Sequence, residues 1–152
     1  MLTNQYDSYI INVHHIGIVV DDVQKKSEIY QESFGFVPES GIIHEVNQQV
    51  YVQFLTLLNF RIELIEPVDI NSPVYKFLTK GGKLNHICYE SKNIEESISF
   101  LRKKHGMIPI SFEWSASIED CRVGFLAKPN GEVVELIQPF EGFKYFSSIN
   151  KK

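Results

Sequence analysis

Cysteine is scarce in this chain of 152 residues: Cys88 and Cys121 are the only two, and neither lies in a CxxC. Two isolated cysteines make no disulfide framework. Both are expected to be reduced thiols, with Cys88 a small core or pocket residue rather than a nucleophile. Long apolar runs are also missing, and nothing approaches the ~20 residues that span a bilayer. The first residues, Met1 to Asp7, lack the basic and apolar regions of a signal peptide. A basic excess is absent too. The net charge of −4 argues against a nucleic-acid partner, since nothing neutralises phosphates. The pairs Lys103-Lys104 and Lys151-Lys152 read as a solvated face and a polar tail. Together these absences lead to the expectation of a cytoplasmic protein with neither membrane nor nucleic acid as partner. What remains, 43% hydrophobic and 22% charged residues, is ordinary for a single globular domain with one real core.

The chain carries a repeat. Asn85-His86-Ile87-Cys88-Tyr89 echoes His14-His15-Ile16-Gly17-Ile18 at an offset of 71. At the same offset Gly35 matches Gly106 and Pro38 matches Pro109. Glu63-Leu64-Ile65-Glu66-Pro67 echoes Glu135-Leu136-Ile137-Gln138-Pro139 at an offset of 72. A period near 70 is too long for a solenoid and reads as a module duplicated within one domain, residues 1–152. Module one spans about 12–67, a linker helix about 71–80, module two about 84–139, and an aromatic tail 140–152.

Each module predicts the order β-α-β-β-β. Val13 to Val20 is β-branched and reads as a strand. Asp21-Asp22 suits a helix N-cap, and Gly35 suits the residue that ends the helix. A strand begins at Phe36-Val37, residues 38–48 read as a loop, and strands follow at Val50 to Leu57 and Phe60 to Ile65 around a Leu58-Asn59 turn. Asn71-Ser72-Pro73 starts a short helix, Tyr75 to Thr79, stopped by Gly81-Gly82. Module two repeats this: strand Leu84 to Tyr89, a helix capped by Asn93 and ended by Gly106, strand Met107 to Phe112, and a polar loop Glu113 to Asp120. Strands Cys121 to Ala127 and Glu132 to Gln138 then flank a Pro129-Asn130-Gly131 turn. Two such units predict an α+β fold, a half-open β-barrel with helices outside and a cavity inside. The tail residues Phe140, Phe143, Tyr145 and Phe146 are expected to pack on the body or on the second subunit of a homodimer.

Strand alternation sorts the chemistry. Ile16, Ile18 and Val20 take the helix side, so His15 faces the cavity; Ile87 and Tyr89 do likewise, so His86 faces it too. Ile62 and Leu64 match Val134 and Leu136, which turns Glu63 and Glu135 the same way. His14, beside His15 and matched by Asn85, is assigned outward; His44 and His105 are assigned to the surface. A glutamate in an apolar strand needs a partner, because a buried lone carboxylate is costly. Two imidazoles and two carboxylates suit one divalent ion such as Zn, Ni, Co or Mn, with coordination positions left for substrate. The expected ligands are His15, Glu63, His86 and Glu135. Gln53, Arg61 and Arg122 are the expected substrate contacts, the arginines because their forks match anionic groups.

Four motifs in this order, His15-Ile-Gly, Arg61-Ile-Glu-Leu-Ile-Glu-Pro, Asn85-His-Ile-Cys-Tyr and Val133-Val-Glu-Leu-Ile-Gln-Pro, resemble the vicinal oxygen chelate superfamily (glyoxalase, bleomycin resistance, dioxygenase) over about residues 12–139. The closest branch is that of methylmalonyl-CoA epimerase and the short glyoxalase I-like proteins. The resemblance implies paired βαβββ modules, a metal on the four residues above, and proton abstraction beside a carbonyl of an acyl-thioester or hemithioacetal. Glu135 is the first choice and Glu63 the second for moving that proton. The alternatives it implies are a small-molecule sequestration protein or an accessory isomerase or lyase of a secondary-metabolite pathway. One departure stands out. The branch leads one to expect an acid just ahead of the strand at Val50, where this chain has Gln48-Gln49, with Glu45 the nearest carboxylate.

Overall fold

The computed structural model describes residues 9–114 and 121–139. Strand β1 (Ile10–Val19) begins three residues earlier than predicted, and helix α1 (Val23–Phe34) follows. Asp22 caps α1, its Oδ1 accepting the Lys25 N–H at 2.9 Å. Gly35 ends the helix at φ 76°, a left-handed conformation that glycine adopts without steric cost. Next come β2 (Val37–Pro38), β3 (Ile43–Glu45), β4 (Val50–Leu57) and β5 (Phe60–Pro67). The loop expected over 38–48 thus holds a short edge strand, β3, which pairs antiparallel with β4. Helix α2 (Tyr75–Thr79) links to β6 (Leu84–Ser91), α3 (Ile94–His105), β7 (Ile108–Trp114), β8 (Cys121–Ala127) and β9 (Val133–Pro139). Most of the expected polar loop and the whole aromatic tail, at 115–120 and 140–152, lie outside the described residues.

The strands form one curled, unclosed sheet in the order β2-β4-β5-β1-β6-β9-β8-β7, with β3 beside β4. At its centre β1 and β6 run antiparallel. On either side β1 pairs parallel with β5 and β6 parallel with β9. The repeat is visible as register: Gly17 faces Glu63 where Cys88 faces Glu135, and Phe54 faces Glu63 where Phe125 faces Glu135. It extends to the helix starts. Glu66 Oε2 accepts the Val23 N–H at 2.8 Å, and Gln138 Oε1 accepts the Ile94 N–H at 2.7 Å. Each such bond satisfies a donor that the helix itself leaves orphaned.

Apolar side chains cover both faces of the sheet. Between α1 and the sheet, Val23 of the helix packs with Val20, Leu55, Ile62 and Leu64; between α3 and the sheet, Ile94 of the helix packs with Leu126, Val134 and Leu136. The inner face carries Val19, Val50, Val52 and Ile65 against α2 in module one, and Cys88, Cys121, Val123 and Ile137 in module two. Among the described residues no helix is long and apolar enough to cross a membrane.

Candidate metal centre

Adjacent strands bring two histidines and two glutamates to one point on the inner face. Gly17 on β1 lies opposite both Glu63 on β5 and His86 on β6; Cys88 on β6 lies opposite both His15 on β1 and Glu135 on β9. The ligand atoms of His15, Glu63, His86 and Glu135 all lie within 4.8 Å of one another, and all four residues are buried. His15 Nε2 is 3.1 Å from Glu63 Oε2, from Glu135 Oε2 and from His86 Nε2. His86 Nε2 is 2.8 Å from Glu135 Oε2 and 3.4 Å from Glu63 Oε2. Gly17 makes this approach feasible: a Cβ there would stand 2.3 Å from Cε1 of the His86 ring. Asn85 Oδ1, 2.9 Å from His86 Nδ1, accepts that N–H and leaves Nε2 with its lone pair toward the cluster.

The donor set and its spacing fit one divalent ion. Atoms held ~2.1 Å from a common centre at tetrahedral or octahedral angles sit ~3.0–3.4 Å from each other, the range seen for most pairs here. Glu135 Oε2 supports the fit: it is buried 3.1 and 2.8 Å from the two imidazole Nε2 atoms, and without an ion or protons on those nitrogens it has no partner. Two buried carboxylates need two positive charges nearby. Without an ion, protons on the imidazoles supply them. Burial alone would lower the His86 pKa, but the hydrogen bond and charge of Glu135, then of Glu63, reverse this and push it up to about 10. His15 is raised in the same way, its burial outweighed first by the charge of Glu63 and then by Glu135. Burial works against ionisation of Glu63 and Glu135 too, and the facing histidines, His15 first, more than offset it and hold both acids low. Cys88 goes the other way: burial first, then the charges of Glu135 and Glu63, keep its thiol neutral.

His14 overturns its sequence assignment. It is buried, not outward. The register passes from Val13↔Tyr89 to His15↔Cys88, so β1 spends two residues where β6 spends one. This bulge breaks the strict alternation. The Nδ1 atoms of His14 and His15 are 2.7 Å apart, and His14 Nε2 lies 2.8 Å from Arg61 Nη1. A guanidinium only donates, so His14 Nε2 accepts while that bond is kept, and one of the two facing Nδ1 atoms of His14 and His15 must accept from the other. Burial, then the neighbouring His15 and Arg61, holds His14 well below its ordinary pKa.

The three expected substrate contacts are not brought together. Arg61 reaches the inner face, but Glu39 grips it with two hydrogen bonds of 2.6 Å, to Nε and Nη2. Gln53 pairs with Leu64, whose side chain packs under α1, so it faces away from the cluster and donates to the Ser40 carbonyl. Arg122 ion-pairs with Glu95 on α3, also away from the cluster. His44 and His105 are exposed, as expected. Glu39, partly buried, and Glu45, buried, are further acids that no strand pattern in the sequence marks. Glu45 is 1% exposed and pairs with Val50, which puts it on the inner face. A cavity of about 300 Å³ opens beside His86, walled partly by Val50, Ile65, Asn85, Ser111 and Phe125.

Comparison with known proteins agrees with this architecture. An ethylmalonyl-CoA/methylmalonyl-CoA epimerase of Cereibacter sphaeroides is 33% identical over 131 residues, covering 83% of this chain and 96% of that protein. The mouse mitochondrial methylmalonyl-CoA epimerase is 32% identical over 94 residues, 60% of this chain and 52% of the mouse protein. The chain therefore spans about half the length of the mammalian relatives it matches. A variant of Streptomyces coelicolor methylmalonyl-CoA epimerase, solved with 2-nitronate-propionyl-CoA, shares the fold at a TM-score of 0.74 and 24% identity, over 86% of this chain and 99% of that one. Residues 14–125, from His14 on β1 to Phe125 beside His86, match the glyoxalase/bleomycin resistance protein/dioxygenase superfamily, and the chain belongs to it.

Proposed function

We propose that this protein is a metal-dependent epimerase of acyl-thioesters, with methylmalonyl-CoA the first substrate to try. The observation that carries the reading is the convergence of four buried donor atoms at ligand spacing. His15, Glu63, His86 and Glu135 would hold one divalent ion, Zn, Ni, Co or Mn. Such an ion, when bound, polarises a carbonyl oxygen and stabilises negative charge that develops on it. The epimerase names carried by relatives of about 30% identity support the choice of chemistry.

The chain's own groups supply the rest. Glu135 is proposed to take the proton beside the carbonyl, with Glu63 the second choice; a carboxylate so placed acts as a general base. Glu45, on the inner face opposite Val50, is the candidate for the further acid that epimerisation needs on the other face of the carbon. His86 is already wired as a ligand by Asn85. His15 is not: to offer Nε2 it must carry its proton on Nδ1, so the His14 ring turns or gives up its Arg61 bond. Apolar side chains of Val50, Ile65 and Phe125 line the inner face beside the cluster.

The test is deuterium incorporation at the carbon between the carbonyls of methylmalonyl-CoA, followed by NMR with the metal content measured in parallel. Exchange that needs about one equivalent of metal and fails in Glu135→Gln supports the reading. Exchange unaffected by chelation, or none with a fully loaded protein, sinks it.

A further inference from the structure

The two strands that carry the histidines do not pair evenly. Between Val13↔Tyr89 and His15↔Cys88, β1 has one residue more than β6, and that residue is His14. Between Gly17↔His86 and Ile18↔Leu84 the surplus lies on β6, and it is Asn85. His14 and Asn85 are equivalent in the repeat, at the offset of 71. Each therefore occupies a bulge immediately ahead of a candidate ligand; a third surplus residue, Ile11, precedes none. Strand neighbours ordinarily point to opposite faces, and a bulge can re-aim one of them toward the other's side. Here it brings a polar group to a ring nitrogen. Asn85 Oδ1 lies 2.9 Å from His86 Nδ1, and His14 Nδ1 lies 2.7 Å from His15 Nδ1. The Nε2 atoms of the two rings point the other way, into the cluster, 3.1 Å apart. We propose that the paired bulges belong to the metal site: His14 and Asn85 are positioning residues, each holding the ring of the histidine that follows it so that Nε2 faces the ion.

A neutral imidazole that binds a metal through Nε2 carries its proton on Nδ1, and an acceptor for that proton fixes both the tautomer and the orientation of the ring. Asparagine and histidine can each supply one, because Oδ1 of the first and Nδ1 of the second hang from the same branch point, Cγ. Packing alone would not suffice. Phe54 and Phe125 meet His15 and His86 edge-on, at interplanar angles of 73° and 89°. They limit the tilt of the rings but do not tell Nδ1 from Cδ2. A half-turn of either ring about Cβ–Cγ exchanges Nδ1 with Cδ2 and Nε2 with Cε1, and so turns a carbon toward the ion. The bulge residues discriminate between these two settings, since only one of them keeps the hydrogen bond. The holders differ in their own support. His14 is itself held, its Nε2 2.8 Å from Arg61 Nη1, and Glu39 clasps Arg61 through Nε and Nη2. The setting of His15 thus reaches back to β5 and to Glu39, between β2 and β3.

The inference rests on the four-residue metal site of the proposed function, though not on its substrate, and zinc affinity separates the two. Zinc is titrated into the metal-free full chain in competition with a chromophoric chelator. Asn85→Ala and His14→Leu, which remove one acceptor each, are expected to weaken zinc binding by about 10–100-fold. Asn85→Ala is expected to do so with the metal-free melting temperature nearly unchanged. His14→Asn, which gives module one the holder of module two, is expected to stay within about threefold of the parent chain. Ring-nitrogen NMR of the zinc-loaded protein supplies a second readout: a solvent-protected Nδ1–H on His86 that Asn85→Ala loses. Should His14→Leu not fold, Asn85→Ala and His14→Asn decide the matter. Unchanged zinc affinity in folded Asn85→Ala, or a loss in His14→Asn as large as that expected of His14→Leu, would overturn the proposal. A parent chain that takes up no zinc overturns it together with the metal site. Zinc binding that depends on both holders, without deuterium exchange into methylmalonyl-CoA, removes the epimerase reading and leaves this one standing. Zinc-dependent exchange with affinity indifferent to the holders does the reverse.

Discussion

Module one and module two agree wherever the cluster is concerned and diverge one residue away from it. The same strand registers deliver one histidine and one glutamate from each, and each histidine ring meets a phenylalanine, His15 with Phe54 at 5.4 Å and His86 with Phe125 at 5.8 Å. Beside that shared frame, His14 and Arg61 stand where Asn85 and Val133 do. The difference shows what duplication freed. A site built from two half-sites fixes the donors in both copies, whereas the flanking positions can specialise: module one carries the Glu39–Arg61–His14 chain, and module two has isoleucine, valine and asparagine there.

If the halves are equivalent toward the ion, the largest effects should be alike across them. His15→Ala, Glu63→Ala, His86→Ala and Glu135→Ala are each expected to cut bound metal to below roughly a tenth of an equivalent, since a catalytic-type site keeps few protein ligands in reserve. Elemental analysis after desalting checks this, and a variant that retains full metal removes its residue from the ligand set. The flanks should respond unequally. Arg61→Ala strands the buried Glu39 carboxylate and is expected to cost about 3–5 kcal/mol, against about 1 kcal/mol for the partly buried Val133→Ala. Urea unfolding measures both, and similar values would mean that the Glu39–Arg61 pair contributes no more than ordinary packing.

The imidazole–carboxylate pairs set a pH window for the metal-free protein. The His86 pKa rises from 6.5 to about 10 on folding, through Glu135 and Glu63 against the opposing effect of burial, so its contribution is complete below pH 6.5 and disappears as pH rises toward 10. Glu135 shifts down from 4.5, its facing histidines overcoming burial, so its contribution is present above pH 4.5 and declines in stronger acid. Metal-free stability should therefore peak at roughly pH 5–6.5. Zinc should add more stability at pH 8 than at pH 5.5, because ligation displaces those protons. Thermal melts across pH with and without one equivalent of zinc would show the crossover, and parallel curves would count against the wiring. Smaller again are the caps, Asp22→Ala and Asn93→Ala, each expected to cost about 1 kcal/mol and nearly the same. Arg122→Ala is expected to cost less than about 1 kcal/mol, since its pair with Glu95 is partly exposed, and to leave metal content unchanged.

Much of this was legible because the chain states it twice. Alternation in one strand is ambiguous by a residue, and His14-His15 alone could have been read either way. The match of His15 to His86, with Glu63 to Glu135, removed that ambiguity. The same alternation misplaced His14, because a bulge inserts a residue without any local mark in the sequence. Gln53 and Arg122 failed for a different reason. They were chosen by chemistry, although the Leu58-Asn59 turn already aligns Gln53 with Leu64 on the apolar, helix-facing side. Glu39 was hidden because its partner Arg61 lies 22 residues away, across a hairpin, and nothing local marks such a pair.

Gly17 sits in the middle of a long strand, where a residue without a side chain is a poor choice. On strand propensity alone a branched residue would suit the position better, since glycine gives up ~0.5–1 kcal/mol of backbone entropy. An engineer optimising this protein for thermal tolerance would place position 17 near the top of the positions to change. The His86 ring occupies the volume that any new side chain would need. Selection on stability and selection on metal retention should thus both hold glycine at position 17 while His86 is present, and a library that varies both positions should release 17 only where 86 has become small.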